Sequence, residues 1–420
     1  MLKHYTVIFF SCVATLCLSA MLTGCSSPEP KVVCTDSIGC VAIPPDAPLK
    51  IGVLQALSGD VAPLGVAQIR GLELALERRG GLVLGHPVAL QVEDTGCTAE
   101  GGANAALKVI ADPDTVAIFG TTCSGAAVTG SKAMSDAGLS MISGNNSAPF
   151  LTAIAGKAAP SWQKGYFRTA PNEENAGRIA AEYAYSQLGM RRAATINDND
   201  IYTRGLTEGF KKAFLEFGGE VVLATSINKG DTQMVPVLTA VAHARADLLF
   251  FPLFQPEGNH ILQQARSIPE LAETVLISGG ALIEQTFIDA VGKDAVGMYF
   301  VGPASPFGQA VDKLAGLYEG KYNEKPTVSY YLSAYDAANL LFSAIEQAQA
   351  TQKDGTLLIG RQKLRDVLYS GKPIKGVTGT LSCDEFGDCA QPSFRVLRLD
   401  DPALGVQGLE ENAVFTGTSK

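Results

Sequence analysis

Histidine is scarce in this chain, with four among 420 residues. His86, His243 and His260 stand apart from one another, and no Cys-x-x-Cys spacing occurs, which argues against a zinc site, and no metal or cofactor is expected. The same scarcity leaves a nucleophilic serine without a base in any recognisable partner context. Gly-x-Ser-x-Gly is not matched around Ser124, which Thr122-Cys123 precede. The phosphate loop Gly-x-x-x-x-Gly-Lys-Ser/Thr is missing too, which argues against nucleotide hydrolysis. The expectation is a chain without enzymatic activity and with no catalytic residue. No Lys/Arg run interrupts a net charge of −9, which speaks against nucleic acid as a partner. Beyond the first 25 residues no apolar stretch reaches the ~18 residues of a membrane span.

What the chain does have begins at its start. Lys3 and His4 precede an almost wholly apolar run from Tyr5 to Ala20, closed by Leu22-Thr23-Gly24-Cys25. This is the pattern of a secretory signal with a small-residue cleavage site, and its end resembles the bacterial lipobox. The expectation is a lipoprotein signal over 1–24, lipid on Cys25, and a Pro- and Ser-rich tether over 25–48. The membrane is then met through the lipid alone, at the periplasmic or extracytoplasmic face of a bacterial membrane.

Nine cysteines occur. Cys12 and Cys17 leave with the signal and Cys25 takes the lipid, so six remain. An even number in an exported chain reads as disulfides, although six cysteines permit fifteen pairings. The local pairs Cys34–Cys40 and Cys383–Cys389, each with five residues between, are favoured and leave Cys97–Cys123.

From Lys50 onward, short continuous apolar runs alternate with helical patterns. The runs are Ile51–Leu57, Val88–Val92, Val116–Phe119, Leu139–Ile142, Ala193–Ile196, Leu248–Phe251, Val275–Ile277 and Met298–Val301. They read as parallel strands covered on both faces. Val66, Ile69, Leu72 and Leu76 make one apolar helix face, and Leu332, Tyr335, Ala338, Leu341 and Ile345 make another. The fold class is α/β with parallel sheets, and 46% hydrophobic residues over this length suggest two lobes rather than one core.

Ligands of such sheets bind beyond the carboxyl ends of the strands. There the chain reads "GTTCSGAAVTGS" after Val116–Phe119. A strand ending at Gly120 before a helix from about Ser124 offers free backbone amides to an anion, and Ser124 either caps that helix or bonds a carboxylate. A second strand tip, "MISGNNSAPFLT", presents Asn145, Asn146 and Ser147, as ligand contacts or as ordinary turn chemistry.

These stretches, together with KIGVLQALSGDVAPLG, VEDTGC, YFRTAP, INDNDIYTRGL, PEGNHILQQAR, AYDAANLL and TGTLSCDEFGD, resemble the leucine/isoleucine/valine-binding family of ABC-importer receptors, the type I periplasmic binding proteins. The match runs from about Lys50 to about Leu399. It implies two doubly wound parallel-sheet lobes joined by three crossover strands, with the ligand in the cleft between them. Lobe one would be 49–168 plus 296–375, and lobe two 169–295 plus 376–415. The implied function is capture of a small polar ligand, an amino acid or analogue, by lobe closure, for delivery to an ABC permease in the cytoplasmic membrane. A ligand sensor of the same fold is the alternative. The resemblance places Ser124, Gly125, Ser147 and neighbouring amides on the ligand's polar groups, Asn145 as a carbonyl acceptor, and Tyr202 and Phe254 as closing rings. It also supports the Cys97–Cys123 bond. In two places the chain departs from the pattern: Gly280 stands where an acid pairs with the ligand ammonium, and Leu64 replaces an aromatic ring. A buried ammonium without a counter-charge is costly. Either Glu284 or Glu257 reaches in, Glu284 otherwise facing solvent, or the ligand is a carboxylate or amide without an ammonium. The hairpin "LSCDEFGDCAQPSF" carries Asp384, Glu385 and Asp388 without calcium-loop spacing, and reads as a disulfide-clasped turn.

Overall fold

The computed structural model describes residues 33–370 and 373–418. The signal segment and Cys25 lie outside the described residues. Two large sheets organise the lobes, beside three small ones of two or three strands. The first has the strand order Leu82–Val83, His86–Asp94, Leu49–Gln55, Thr115–Gly120, Met141–Ser143 and Tyr166–Arg168. All neighbours pair in parallel except the Leu82–Val83 hairpin. Its central strands, Leu49–Gln55 and Thr115–Gly120, are buried almost throughout, as helices on both faces require.

The second sheet runs Glu220–Ser226, Arg192–Asn197, Leu248–Phe250, Val275–Gly279, Tyr299–Pro303, Ser393–Arg398 and Ala413–Thr418. The last two strands join it antiparallel. The helices Tyr330–Ala348 and Ala62–Glu77 pack together on the first sheet. The chain therefore passes between the lobes three times: at 169–175, at 304–308 and at 390–392.

Three expected boundaries are corrected. The return to lobe one does not begin at 296, because Tyr299–Pro303 pairs with Val275–Gly279 and Ser393–Arg398 in the second sheet. The last passage does not begin at 376 either. The Asp336 carboxylate accepts the amides of Val377 and Thr378, and the Cys389 amide donates to the Arg168 carbonyl, so 376–389 belongs with lobe one. Nor is 34–48 a tether. Cys40–Ile43 pairs antiparallel with Leu357–Gly360, and Asp36 accepts the amides of Gln362 and Lys363 at the start of the Arg361–Ser370 helix. A fourth correction concerns the first helix. Leu64, Ala67, Leu72 and Ala75 are buried while Val66 and Ile69 are only half-buried, because its sheet and the Tyr330–Ala348 helix cover it on two sides.

Disulfides join Cys34–Cys40, Cys97–Cys123 and Cys383–Cys389. The third clasps the turn that carries Asp388, whose carboxylate meets the fully buried Arg168 guanidinium at 2.5 Å. Arg168 also donates to the carbonyls of Asn146 and Ala148 and to the Thr152 hydroxyl. A buried cation held by four acceptors thus fixes the loop after Met141–Ser143 to the turn that precedes the last passage between the lobes. Among the described residues no group of three or more His, Cys, Asp or Glu side chains is arranged to hold a metal ion.

Candidate functional site

The tips of the first sheet's strands build one wall of a cleft. Helix Ser124–Asp136 starts directly after Thr115–Gly120, with Cys123 in the capping position and its sulfur taken by the disulfide. Ser124 is therefore not the cap. It is the first helical residue, and its hydroxyl accepts from the Ala148 amide at 3.3 Å. The first-turn amides of this helix keep their donor capacity at the cleft.

Ser147 follows on the neighbouring strand tip. Its carbonyl accepts the Glu173 amide, and the Arg168 bonds to the carbonyls on either side of it hold the loop in place. The expected side chain of Asn146 is turned away. Its amide group bonds Thr121, the Thr122 carbonyl and the Tyr166 hydroxyl, so it braces the loop instead of facing the cleft. Asn145 also donates to the Thr122 carbonyl, but it stays on the cleft wall.

Lobe one contributes Leu64, Thr122, Ser124, Asn145, Ser147 and Tyr330, and lobe two faces them with Tyr202, Phe254 and Ala281. Tyr202 and Phe254 pack with ring centroids 5.2 Å apart. The cleft is drawn nearly shut, with a cavity volume of about 10 Å³, the scale of one water. Anything of amino-acid size enters only with the lobes apart.

Gly125 is not on that wall. A Cβ there would stand 2.5 Å from the Asp200 carboxylate, so glycine lets the two lobes meet. Asp200 caps the Ile201–Glu216 helix and pairs with Lys229 at 2.8 Å, and Lys229 also reaches the Cys97 carbonyl across the lobes at 3.4 Å. This latch lies beside Phe254, whose ring centroid is 5.5 Å from the Lys229 ammonium.

Gly280 lies beyond Tyr330, in an adjoining cavity. A Cβ at 280 would meet the Tyr330 hydroxyl at 2.8 Å, so the phenol fills the space a side chain there would need. Neither proposed substitute acid reaches the cleft wall. Glu257 is buried and accepts the Gly230 amide. Glu284, expected either to reach the ligand or to face solvent, does neither: it is 1% exposed and accepts from Gln255 and Thr286. Burial pushes its carboxyl up to about 7.

A third acid, Glu173, stands behind the cleft wall, its amide bonded to the Ser147 carbonyl and its side chain outside the cavity's lining. It is 1% exposed, and neither carboxylate oxygen has a hydrogen-bond partner. Burial pushes it up to about 8, opposed by the nearby Ser147 hydroxyl and Arg168 guanidinium. It adds to the rise that burial imposes on the phenols of Tyr202 and Tyr330, which places it among residues of both lobes. An unpartnered buried carboxyl is unfavourable in the empty protein and suited to a cation that enters. Periodicity offers no sign of Glu173, which sits in the polar run "PNEEN" between elements, and Tyr330 falls outside the apolar face of its helix.

The family of periplasmic binding proteins matches residues 48–401. A Leu/Ile/Val-binding protein homolog of Brucella melitensis is 28% identical over 360 residues, covering 84% of this chain and 92% of the relative. Among solved structures, the branched-chain amino acid transporter substrate-binding protein LivJ of Streptococcus pneumoniae, in complex with isoleucine, superposes with a TM-score of 0.73 at 20% identity. It covers 89% of this chain and 99% of that one. A solute-binding protein of an ABC transporter from R. palustris, in complex with benzoate, superposes with a TM-score of 0.72 at 20% identity over 89% and 98% of the two chains. At these identities the solved structures speak for the fold.

Proposed function

The chain belongs to the periplasmic binding protein family, and on that premise we propose that it is the substrate-binding component of an ABC importer, capturing an α-amino acid for a permease in the cytoplasmic membrane. One observation carries the choice of ligand: the buried, unpartnered Glu173 carboxyl beside Ser147, Tyr202 and Tyr330. It supplies the counter-charge that Gly280 cannot. In this reading the ligand carboxylate takes the Ser124 and Ser147 hydroxyls and the first amides of the Ser124 helix, while the ammonium takes Glu173 and the Asn145 carbonyl. Tyr202 and Phe254 then close over the side chain.

Micromolar affinity requires about 8 kcal/mol. A carboxylate at a helix start supplies at most about 2, so the ammonium pair and ring contacts supply most of the rest. The Leu/Ile/Val names of the relatives support a branched-chain ligand. The signal and the Cys25 lipid complete the reading, as an anchor at the periplasmic or extracytoplasmic face of a bacterial membrane.

The second reading, a carboxylate without an ammonium, has the benzoate-bound neighbour in its favour. Titration calorimetry on protein stripped of ligand by unfolding and refolding separates the two. Binding of leucine, isoleucine or valine, lost in Glu173→Gln, supports the amino-acid reading. Binding of benzoate and 4-methylpentanoate, with none of the amino acids, replaces it.

A further inference from the structure

The cleft does not end at Tyr330. Behind it lies a cavity of about 100 Å³, ten times the cleft's own free space. Each of the three passages between the lobes contributes to its lining, through Thr169, Ser305 and Gln391. Tyr330 lines both spaces, and its hydroxyl rests over the bare Cα of Gly280. Tyr330 belongs to lobe one and Gly280 to lobe two, so this partition forms only when the lobes come together.

One end of the cavity is polar and carries the charged groups Arg395 and Glu410. Arg395 lines it, donating to the Glu410 carbonyl at 2.6 Å and to the Ser305 hydroxyl at 2.5 Å. Its remaining nitrogen, Nε, is buried without a hydrogen-bond partner. Glu410 also lines the cavity, and burial pushes its carboxyl up, opposed by Ser329 and Arg395. Arg395 brings a fixed positive charge and an Nε without a partner, which suits a carboxylate, since arginine binds it through two parallel bonds. The walls between are apolar at Ile283, Pro303 and Leu332, which suits a short methylene chain.

We propose that this hinge cavity is a second compartment of the ligand site, holding the distal carboxylate of an acidic amino acid whose side chain passes Tyr330 to reach Arg395. The inference rests on the amino-acid reading of the cleft, and it replaces the branched-chain ligand by an acidic one whose side chain runs toward Arg395 instead of staying under Tyr202 and Phe254. Gly280 then has a positive role, since the missing side chain leaves the passage open. A ligand seated in both compartments touches both lobes and all three connections, so its length reads directly into closure.

The test compares norleucine with 2-aminoadipate, which has the same chain length and differs by the terminal carboxylate. Calorimetry is run on the stripped protein, with leucine as a reference. The expected result is 2-aminoadipate binding at least tenfold more tightly than norleucine, with that preference reduced to about twofold in Arg395→Gln and norleucine unaffected. Because Arg395→Gln removes two structural bonds and can fail to fold, Ala390→Leu is measured beside it. That change narrows the cavity without touching charge, and it should weaken 2-aminoadipate while sparing leucine. Equal or tighter binding of norleucine overturns the second compartment and leaves the amino-acid reading standing. If none of the three amino acids binds, both fall together.

Discussion

Glu173→Gln should make the ligand-free protein more stable and its amino-acid binding worse. Burial raises the Glu173 carboxyl from 4.5 to about 8, so between those values the folded state holds a proton that the unfolded chain releases. Stability therefore falls as pH rises through that window and levels off above it. At 1.36 kcal/mol per pH unit, the full effect is at most about 5 kcal/mol, and water entering the cleft reduces it. Glutamine never ionises, so the variant should match its parent near pH 5 and exceed it by up to that amount at pH 8. Urea melts of both proteins at intervals from pH 5 to 9 measure this. The difference between them isolates Glu173, since burial raises Glu284, Asp336 and Glu410 as well.

Ligand binding runs the other way. An ammonium selects the ionised carboxyl, so affinity should tighten up to about tenfold per pH unit until pH 8, with one proton released per ligand bound. Calorimetry in buffers of different ionisation enthalpy counts that proton. A variant no more stable than its parent at pH 8, and a parent that binds with no proton release, would together refute the reasoning. Glu173 would then be ionised and already paired in the empty protein.

Three further outcomes are expected. Gly280→Ala places a Cβ 2.8 Å from the Tyr330 hydroxyl; closure weakens by about 1 kcal/mol, read as a roughly fivefold higher Kd that Tyr330→Phe relieves. Replacing Cys97 and Cys123 by serine opens a loop with a sequence separation of 26, and guanidinium melts should show a loss of about 3–4 kcal/mol. Asp388→Asn strips the counter-charge from Arg168, whose side chain is 0% exposed. Calorimetric melts should show a loss of about 3–5 kcal/mol.

The layered fold was legible because its strands are short and apolar on both faces, a pattern that a parallel sheet between helices produces. Which sheet a strand joins was not legible. Met298–Val301 reads as one more buried run, and only its partners, Val275–Gly279 and Ser393–Arg398, assign it to the second lobe. Residues 34–48 have linker composition, and the strand within them depends on a partner more than 300 positions later that composition cannot announce. At the site, strand-tip chemistry pointed to Ser124, Asn145 and Ser147, all on the cleft wall. Glu173 escaped because an acid in a polar connection looks solvated until the two lobes close around it. Gly125 and Gly280 matter for side chains that come close to them, Asp200 and Tyr330, and such pairings leave no periodic trace.

The pairing of Cys40–Ile43 with Leu357–Gly360, and of Tyr299–Pro303 with Ser393–Arg398, has a consequence for how the chain is made. A polypeptide threaded N-terminus first through a secretion channel cannot finish lobe one until residue 360 has emerged, nor lobe two until the final strand, Ala413–Thr418, arrives. The six strands of the first sheet are complete at Arg168, but the second sheet waits, an apolar edge exposed, on the last tenth or so of the sequence. Contacts so distant along the chain also make folding slow, so a product shortened by even a few dozen C-terminal residues emerges with an incomplete second sheet, open to aggregation and proteolysis.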